Sequence, residues 1–324
     1  MKVNVRILTS LLWAALTTAG FAQGWSMTKQ GGDPTMAILC DGQLVTKYHY
    51  QDVPKPFFYP IIGPSGEEMT RGYPMNPHDD EQTDHIHHRS LWFAHGDVNG
   101  VDFWHETPPG KKETRPHGKI VHTAFSGMKA GTGPMEIRCR NDWTANDGKK
   151  ICEDSRVYRF TKTAEGFFAI DFEITLKATA GEVKFGDTKE GTMALRVLPT
   201  MRLEGEHAKG GIVNSEGDSG KAAWGKRAPW CDFFGPDRAG NAVGAAMFNH
   251  PENLNHPTYW HARGYGLFAA NPFGKRGFEG KDAEEGGHTI KADEEVTLRY
   301  RILLHRGKPD EAGVAKAYRS YVSE

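Results

Sequence analysis

Apolar and polar side chains alternate with a period of two along much of the chain. Phe168, Ile170, Phe172, Ile174 and Leu176 alternate with Ala169, Asp171, Glu173 and Thr175. Val296, Leu298, Tyr300, Ile302 and Leu304 repeat the pattern, with Arg299, Arg301 and Leu303 between them. This spacing marks strands with one face in a core. Turn signals separate the runs: Asp41-Gly42 joins 37–40 to 43–50, Asn99-Gly100 joins 91–95 to 101–104, and Asp147-Gly148 follows another apolar run. Further strands are predicted over 119–125, 136–141, 155–160, 193–198, 242–248, 258–261 and 266–270. Helical spacing is confined to 310–322, where Val314, Ala315, Tyr318 and Val322 fall on one side after Pro309.

Many short strands with frequent turns and no long linker predict an all-β fold in a single domain over 23–324. At 324 residues the chain suits a large antiparallel β-sandwich of the supersandwich type, with a short C-terminal helix. Residues 1–22 read as a secretory signal peptide. Lys2 and Arg6 precede an apolar stretch over 7–16, and Gly20-Phe21-Ala22 offers the small residues of a cleavage site after Ala22. Export to the periplasm or medium follows from that reading. The stretch is too short to span a bilayer, so no membrane insertion is expected.

Composition narrows the function. With 40 Lys+Arg against 41 Asp+Glu, the net charge is −1, which argues against nucleic-acid binding. The four cysteines, Cys40, Cys139, Cys152 and Cys231, are either buried thiols or disulfides permitted in an oxidising compartment. Cys139 and Cys152 flank a turn and are candidates to face each other across a hairpin.

Histidine gives the strongest local signal. His85, His87, His88 and His95 fall within eleven positions. His85, His87, His88 and Arg89 precede the 91–95 strand and are expected at its mouth, with Leu91, Phe93 and His95 on one face and Trp92 and Ala94 on the other. His85 and His87 form an H-x-H pair, the alternative reading being a divalent metal site. No carboxylate lies between Asp84 and Asp97 to complete it, so no cofactor is expected. A second cluster, Asp187, Lys189 and Glu190, sits in a Gly-bounded loop before the 193–198 strand. A third gathers His250, Tyr259, His261, Arg263 and Asn271. Aromatic rings beside Arg, Asn and His suit a sugar, whose C–H face stacks on a ring while its hydroxyls take polar groups. The tryptophans at 92, 104, 143, 224, 230 and 260 are candidates for that stacking.

At His87-His88-Arg89-Ser90-Leu91-Trp92, Gly186-Asp187-Thr188-Lys189-Glu190-Gly191 and Tyr259-Trp260-His261-Ala262-Arg263-Gly264-Tyr265-Gly266, the sequence resembles a family of secreted bacterial proteins of unknown function labelled PmoA-like or methane oxygenase. The resemblance implies a β-sandwich and a carbohydrate context. The fold is also similar to that of galactose-mutarotase-like supersandwich proteins, which use a His acid and a Glu base about the sugar ring.

The expectation is a protein acting on a small-molecule or oligosaccharide substrate by acid/base chemistry, of epimerase, mutarotase, lyase or hydratase type. His87, His88, Glu190 and His261 are the expected catalytic residues, with Glu190 as base and His88 or His261 as acid. Arg89, Asp187, Lys189, His250, Arg263 and Asn271 are expected to bind substrate. A non-catalytic carbohydrate-binding module is the alternative. The family label adds a metal-dependent oxidoreductase, although the copper enzyme subunit of that name is built of long apolar helices that this chain lacks.

Overall fold

The structure, a computed structural model, describes residues 23–29, 31–108 and 110–324; the predicted signal peptide lies outside them. The alternating runs pair into two large antiparallel sheets, and the fold is an all-β sandwich. One sheet has nine strands in the order Trp25–Thr28, Thr35–Cys40, Gln43–His49, Phe57–Ile61, Leu91–His95, Gly191–Arg196, Leu267–Asn271, Thr258–Trp260 and Arg227–Ala228. The other has eight, in the order Gly211–Asn214, Trp230–Pro236, Ala242–Asn249, Glu295–Arg306, Phe168–Lys177, Lys150–Lys162, Met135–Ala145 and Gly118–Lys129. Val183–Phe185 and His288–Ile290 form a separate two-stranded ribbon.

The two sheets share one core. Phe93 meets Trp143 edge-on at 6.3 Å, Phe268 stacks on Phe233 at 4.6 Å, and Phe58 meets Tyr158 at 4.9 Å. Each pair takes one ring from each sheet, so these residues mark the inner faces. A polar cluster lies within this interior. The Asp154 carboxylate accepts from Asn141 at 2.5 Å, from the Trp143 indole at 2.8 Å and from Arg156 at 2.6–3.0 Å.

The C-terminal helix is shorter than its apolar spacing predicts, Val314–Tyr321. Gly313 precedes it in the left-handed conformation, φ 65°, which a residue with a Cβ adopts only at a cost, so the helix starts there. The helix covers Ala169, Ala246, Phe248 and Leu303 on the outer face of the eight-stranded sheet. Among the described residues, no helix is long and apolar enough to cross a membrane.

Two expectations are corrected. Asn99-Gly100 does turn the chain, but 101–104 is not a strand; it makes only isolated bridges, Val101 to Val98 and Asp102 to His117. The Asp102 side chain accepts the backbone N–H groups of Trp104 and His105, at 2.9 and 3.0 Å, and this local turn competes with strand pairing. Cys139 pairs in register with Arg156, and Cys152 with Trp143, so these two cysteines do not face each other. All four cysteines are free, buried thiols. Burial pushes the Cys139 thiol up to about 11, and it behaves as a small apolar side chain.

Candidate active site

Strand register determines which side chains share the outer face of the nine-stranded sheet. Trp92 pairs with Ala194, and Ala194 with Ala269; the His261 N–H bonds to the Ala269 carbonyl. Trp92, Ala194, Ala269 and His261 therefore form one row across four adjacent chain segments. With strands about 4.8 Å apart, the row spans roughly 14 Å between the backbones at its ends. Its middle holds two alanines, so side chains from the flanking loops gather above it. The adjacent row carries Arg196, Leu267 and Arg263, by the Arg196–Leu267 pairing and the bond from the Arg263 N–H to the Leu267 carbonyl.

The histidine segment supplies one wall. His85 and Ser90 hold left-handed φ values of 47° and 67°, uncommon for residues with side chains and typical of functional turns. The ring of His88 stacks on Trp92 at 5.4 Å and on His85 at 4.7 Å, and His85 stacks on Tyr265 at 5.3 Å. His87 contacts His88 and His105, each at 4.5 Å. His95 points the other way, into the core, where it bonds to the Gly186 carbonyl at 2.8 Å. Three of the four clustered imidazoles thus belong to the site.

His105 is the residue that sequence reasoning missed. Asp102, 1% exposed, places its Oδ2 2.9 Å from His105 Nδ1, and the imidazole is 29% exposed. Two groups face Nδ1: the Asp102 carboxylate, which accepts from a protonated Nδ1, and Arg115 Nη2, 2.5 Å away, which donates to an unprotonated one. With the Nδ1 proton on the Asp102 side, Nε2 is left to exchange a proton. Burial alone would raise the Asp102 carboxyl, but hydrogen bonds from the His105 ring and backbone hold it below the usual range. Arg115 bonds to the same carboxylate oxygen. The Asp102-x-x-His105 spacing is a signal in the sequence, but its Asp102 falls inside the 101–104 run assigned to a strand, with His105 just past the end.

The loop that carries His105 is fixed by a buried ionic cluster. Glu106 takes the fully buried Lys55 ammonium at 2.8 Å and the Arg89 guanidinium from the other side. Lys55 also donates to the Trp104 carbonyl at 2.8 Å. Arg89 is therefore spent on positioning this loop rather than presented to a substrate.

Glu190 forms the facing wall. Burial would raise its carboxyl, but His261, Lys189 and His105 nearby hold it below the ordinary value, so it is ionised at neutral pH. Lys189 bonds to it at 3.0 Å. Gly96 allows this approach, since a Cβ there would meet the Glu190 Cβ at 2.9 Å. Asn271 donates to the Thr188 carbonyl at 2.8 Å and so holds the loop. The Asp187 carboxylate is consumed by the backbone N–H groups of Lys275, Arg276 and Gly286. Neither side chain is free for a substrate; both position Glu190. His250 lies elsewhere, in a groove with Arg299 and Tyr321 beside the C-terminal helix, because its strand belongs to the other sheet.

Three of the site's imidazoles are held neutral. Burial, with Lys55 and His105 close by, drives His87 far below its ordinary value. Burial, His87 and Arg196 do the same to His88, whose Nδ1 accepts from Arg196 at 3.0 Å. Burial lowers His261 to about 4 despite Glu190. These three are hydrogen-bonding groups at neutral pH, which removes His88 and His261 from the role of acid. Beneath them, Trp92 Nε1, Trp104 Nε1, Thr192 Oγ1 and His261 Nδ1 are buried without a hydrogen-bond partner. Buried polar atoms normally have partners, and unpartnered ones also occur away from the site, at Tyr300 in the other sheet and Tyr321 in the C-terminal helix. The His85–His87 pair gains no third donor; among the described residues no group of three His, Cys, Asp or Glu is arranged to hold a metal ion.

The same shifts predict acid sensitivity. In the unfolded chain these histidines take up protons near the ordinary imidazole value of about 6.5, whereas His95 and His261 fold with values of about 4. Between those limits the unfolded state binds more protons, so stability falls as pH falls. Each such histidine costs about 1.4 kcal/mol per pH unit in that window. His305 works in the opposite direction, since Asp232 raises it despite burial. Thermal melts at a series of pH values from neutral to acid should show a falling midpoint, and a flat or rising midpoint would contradict this account.

Residues 35–319 match the profile of a family described as a family of unknown function, DUF6807. The chain belongs to DUF6807. The match covers every site residue named above, so the imidazole wall, the Asp102–His105 pair and Glu190 all lie within the DUF6807 region. No curated protein matches this DUF6807 chain. Among solved structures it is similar to the 4-alpha-glucanotransferase from Thermococcus litoralis, at 11% identity and a TM-score of 0.22, over 90% of this chain and 38% of that one.

Proposed function

We propose that this chain is an exported carbohydrate-active enzyme that performs acid/base chemistry at a sugar carbon, in the manner of an epimerase, mutarotase or lyase. The observation that carries the reading is the pairing of an ionised Glu190 with an Asp102-oriented His105 above a face lined by Trp92 and Trp104. Glu190 takes a proton from the substrate, and His105, protonated on both nitrogens with its Nδ1–H on Asp102, delivers the Nε2 proton to it. In mutarotation the first proton leaves the anomeric hydroxyl and the second reaches the ring oxygen. In elimination the first leaves a C–H bond and the second reaches the departing oxygen. In epimerisation the two groups act on opposite faces of one carbon. Each variant uses one base and one acid, and the two that break a C–H bond act on a sugar with a carbonyl or carboxylate on the neighbouring carbon, which takes up the electron pair left behind. His87, His88 and His261, held neutral, hydrogen-bond to hydroxyls.

The test is a panel of mono- and disaccharides and their keto forms, with turnover followed by NMR and binding by thermal shift. One or more sugars should be turned over, and Glu190→Gln should reduce that rate by about a hundredfold to ten-thousandfold. Sugars that bind without turnover, equally in the wild type and in Glu190→Gln, would instead identify a binding module.

A further inference from the structure

We propose that the substrate is an acidic sugar, a uronic acid, and that Arg263 binds its carboxylate; this rests on the carbohydrate reading above. The guanidinium of Arg263 lies over the rings of both Trp224 and Tyr265, at 5.8 and 5.6 Å. Stacking on aromatic faces leaves the N–H edges of a guanidinium available, and those edges match a carboxylate in a two-point bond. The arginines around it are committed, Arg202 through its Nε to the Pro199 carbonyl at 3.2 Å and the others to carboxylates. Arg89 is paired with Glu106, Arg71 and Arg196 with Asp84, and Arg238 with Asp80 and Glu81. Among the described residues, Arg263 has neither an ion pair nor a side-chain hydrogen bond. It lines a cleft of about 280 Å³ shared with Trp224 and Tyr265. Glu204, in the same cleft, already bonds to Lys221.

The surroundings add positive potential. The Arg196 guanidinium, fully buried, also lies over the Tyr265 ring, at 4.6 Å. Arg71 and Arg196, both buried, share the single carboxylate of Asp84. Two buried cations against one anion leave a surplus, and low-dielectric walls focus it toward the cleft. Tyr265 connects this cleft to the imidazole wall through its stack on His85. A carboxylate held by Arg263 would therefore lie beside the reacting ring, and Trp224 would offer a further apolar surface.

Binding of galacturonate and glucuronate, compared with galactose and glucose by titration calorimetry, tests the inference. The acids should bind about tenfold or more tightly than their neutral counterparts, and about 0.5 M salt should narrow the gap. Arg263→Gln should abolish the preference, and Arg263→Lys should retain part of it; circular dichroism melts confirm that each variant is folded. Equal or tighter binding of the neutral sugars would overturn the inference and leave the carbohydrate reading standing. An acid preference that persists in Arg263→Gln would overturn the assignment to Arg263. Binding of neither class would overturn both readings.

Discussion

Asp154→Ala is expected to lower the thermal midpoint by roughly 6–12 °C, on the scale of about 1.5 °C per kcal/mol that an unfolding entropy of about 2.1 cal/mol/K per residue sets for a chain of this size. The Asp154 carboxylate is fully buried and is bonded by Asn141, Trp143 and Arg156. Removing it strands the Arg156 guanidinium, 1% exposed, between the sheets, where it retains the Phe93 ring at 5.5 Å and the Tyr158 hydroxyl at 3.4 Å. Breaking a buried pair from one side costs about 3–5 kcal/mol, and an abandoned buried donor such as the Trp143 indole adds about 1–3 kcal/mol. Against a total stability of about 5–15 kcal/mol, that is a large loss. The control is the double variant Asp154→Ala, Arg156→Met, which removes the stranded charge and fills its volume with apolar atoms. It should recover much of the loss. If the double variant melts no higher than Asp154→Ala alone, desolvated charge is not the source of the effect.

The strands were legible wherever one face is wet. In Phe168–Lys177 and Glu295–Arg306 the outward positions carry Asp171, Glu173, Arg299 and Arg301, so the period of two is visible. Phe57–Ile61 and Trp230–Pro236 were not recognised. Both contain proline and lie among other apolar residues, which hides their alternation. The candidate site was legible in residue type but not in commitment. Asp187 and Asn271 look like substrate ligands until their oxygen atoms are found on backbone N–H groups. Arg89 looks the same until Glu106 is found beneath it. The Arg89 and Asp187 bonds join residues 17 and 99 positions apart, and no local pattern encodes them; those of the Asn271 oxygen are local, two and three positions on. His105 was hidden for a different reason. The turn that presents it is made by Asp102, the same side chain that orients its ring, so misreading the segment as a strand concealed fold and chemistry together.

Asp102→Asn separates these two roles. Asparagine has nearly the shape of aspartate, and its carbonyl oxygen can still accept from the Trp104 and His105 N–H groups that shape the turn. The group facing His105 Nδ1 then becomes an amide that donates, and the ring must accept there. The proton of the neutral ring moves to Nε2, and the doubly protonated ring that delivers a proton to substrate loses the carboxylate that stabilised it. Loss of a positioned acid/base group costs about a hundredfold to ten-thousandfold in rate. With any sugar the wild type turns over, kcat should fall within that range while KM moves little, because Asp102 is 1% exposed and touches no substrate. Nitrogen NMR of the labelled protein reads the tautomer without a substrate: His105 should change from Nδ1–H to Nε2–H, and the thermal midpoint should fall only modestly. An unchanged tautomer would contradict the orienting role of Asp102. A changed tautomer with full turnover would remove His105 from the chemistry and leave Glu190 without its partner.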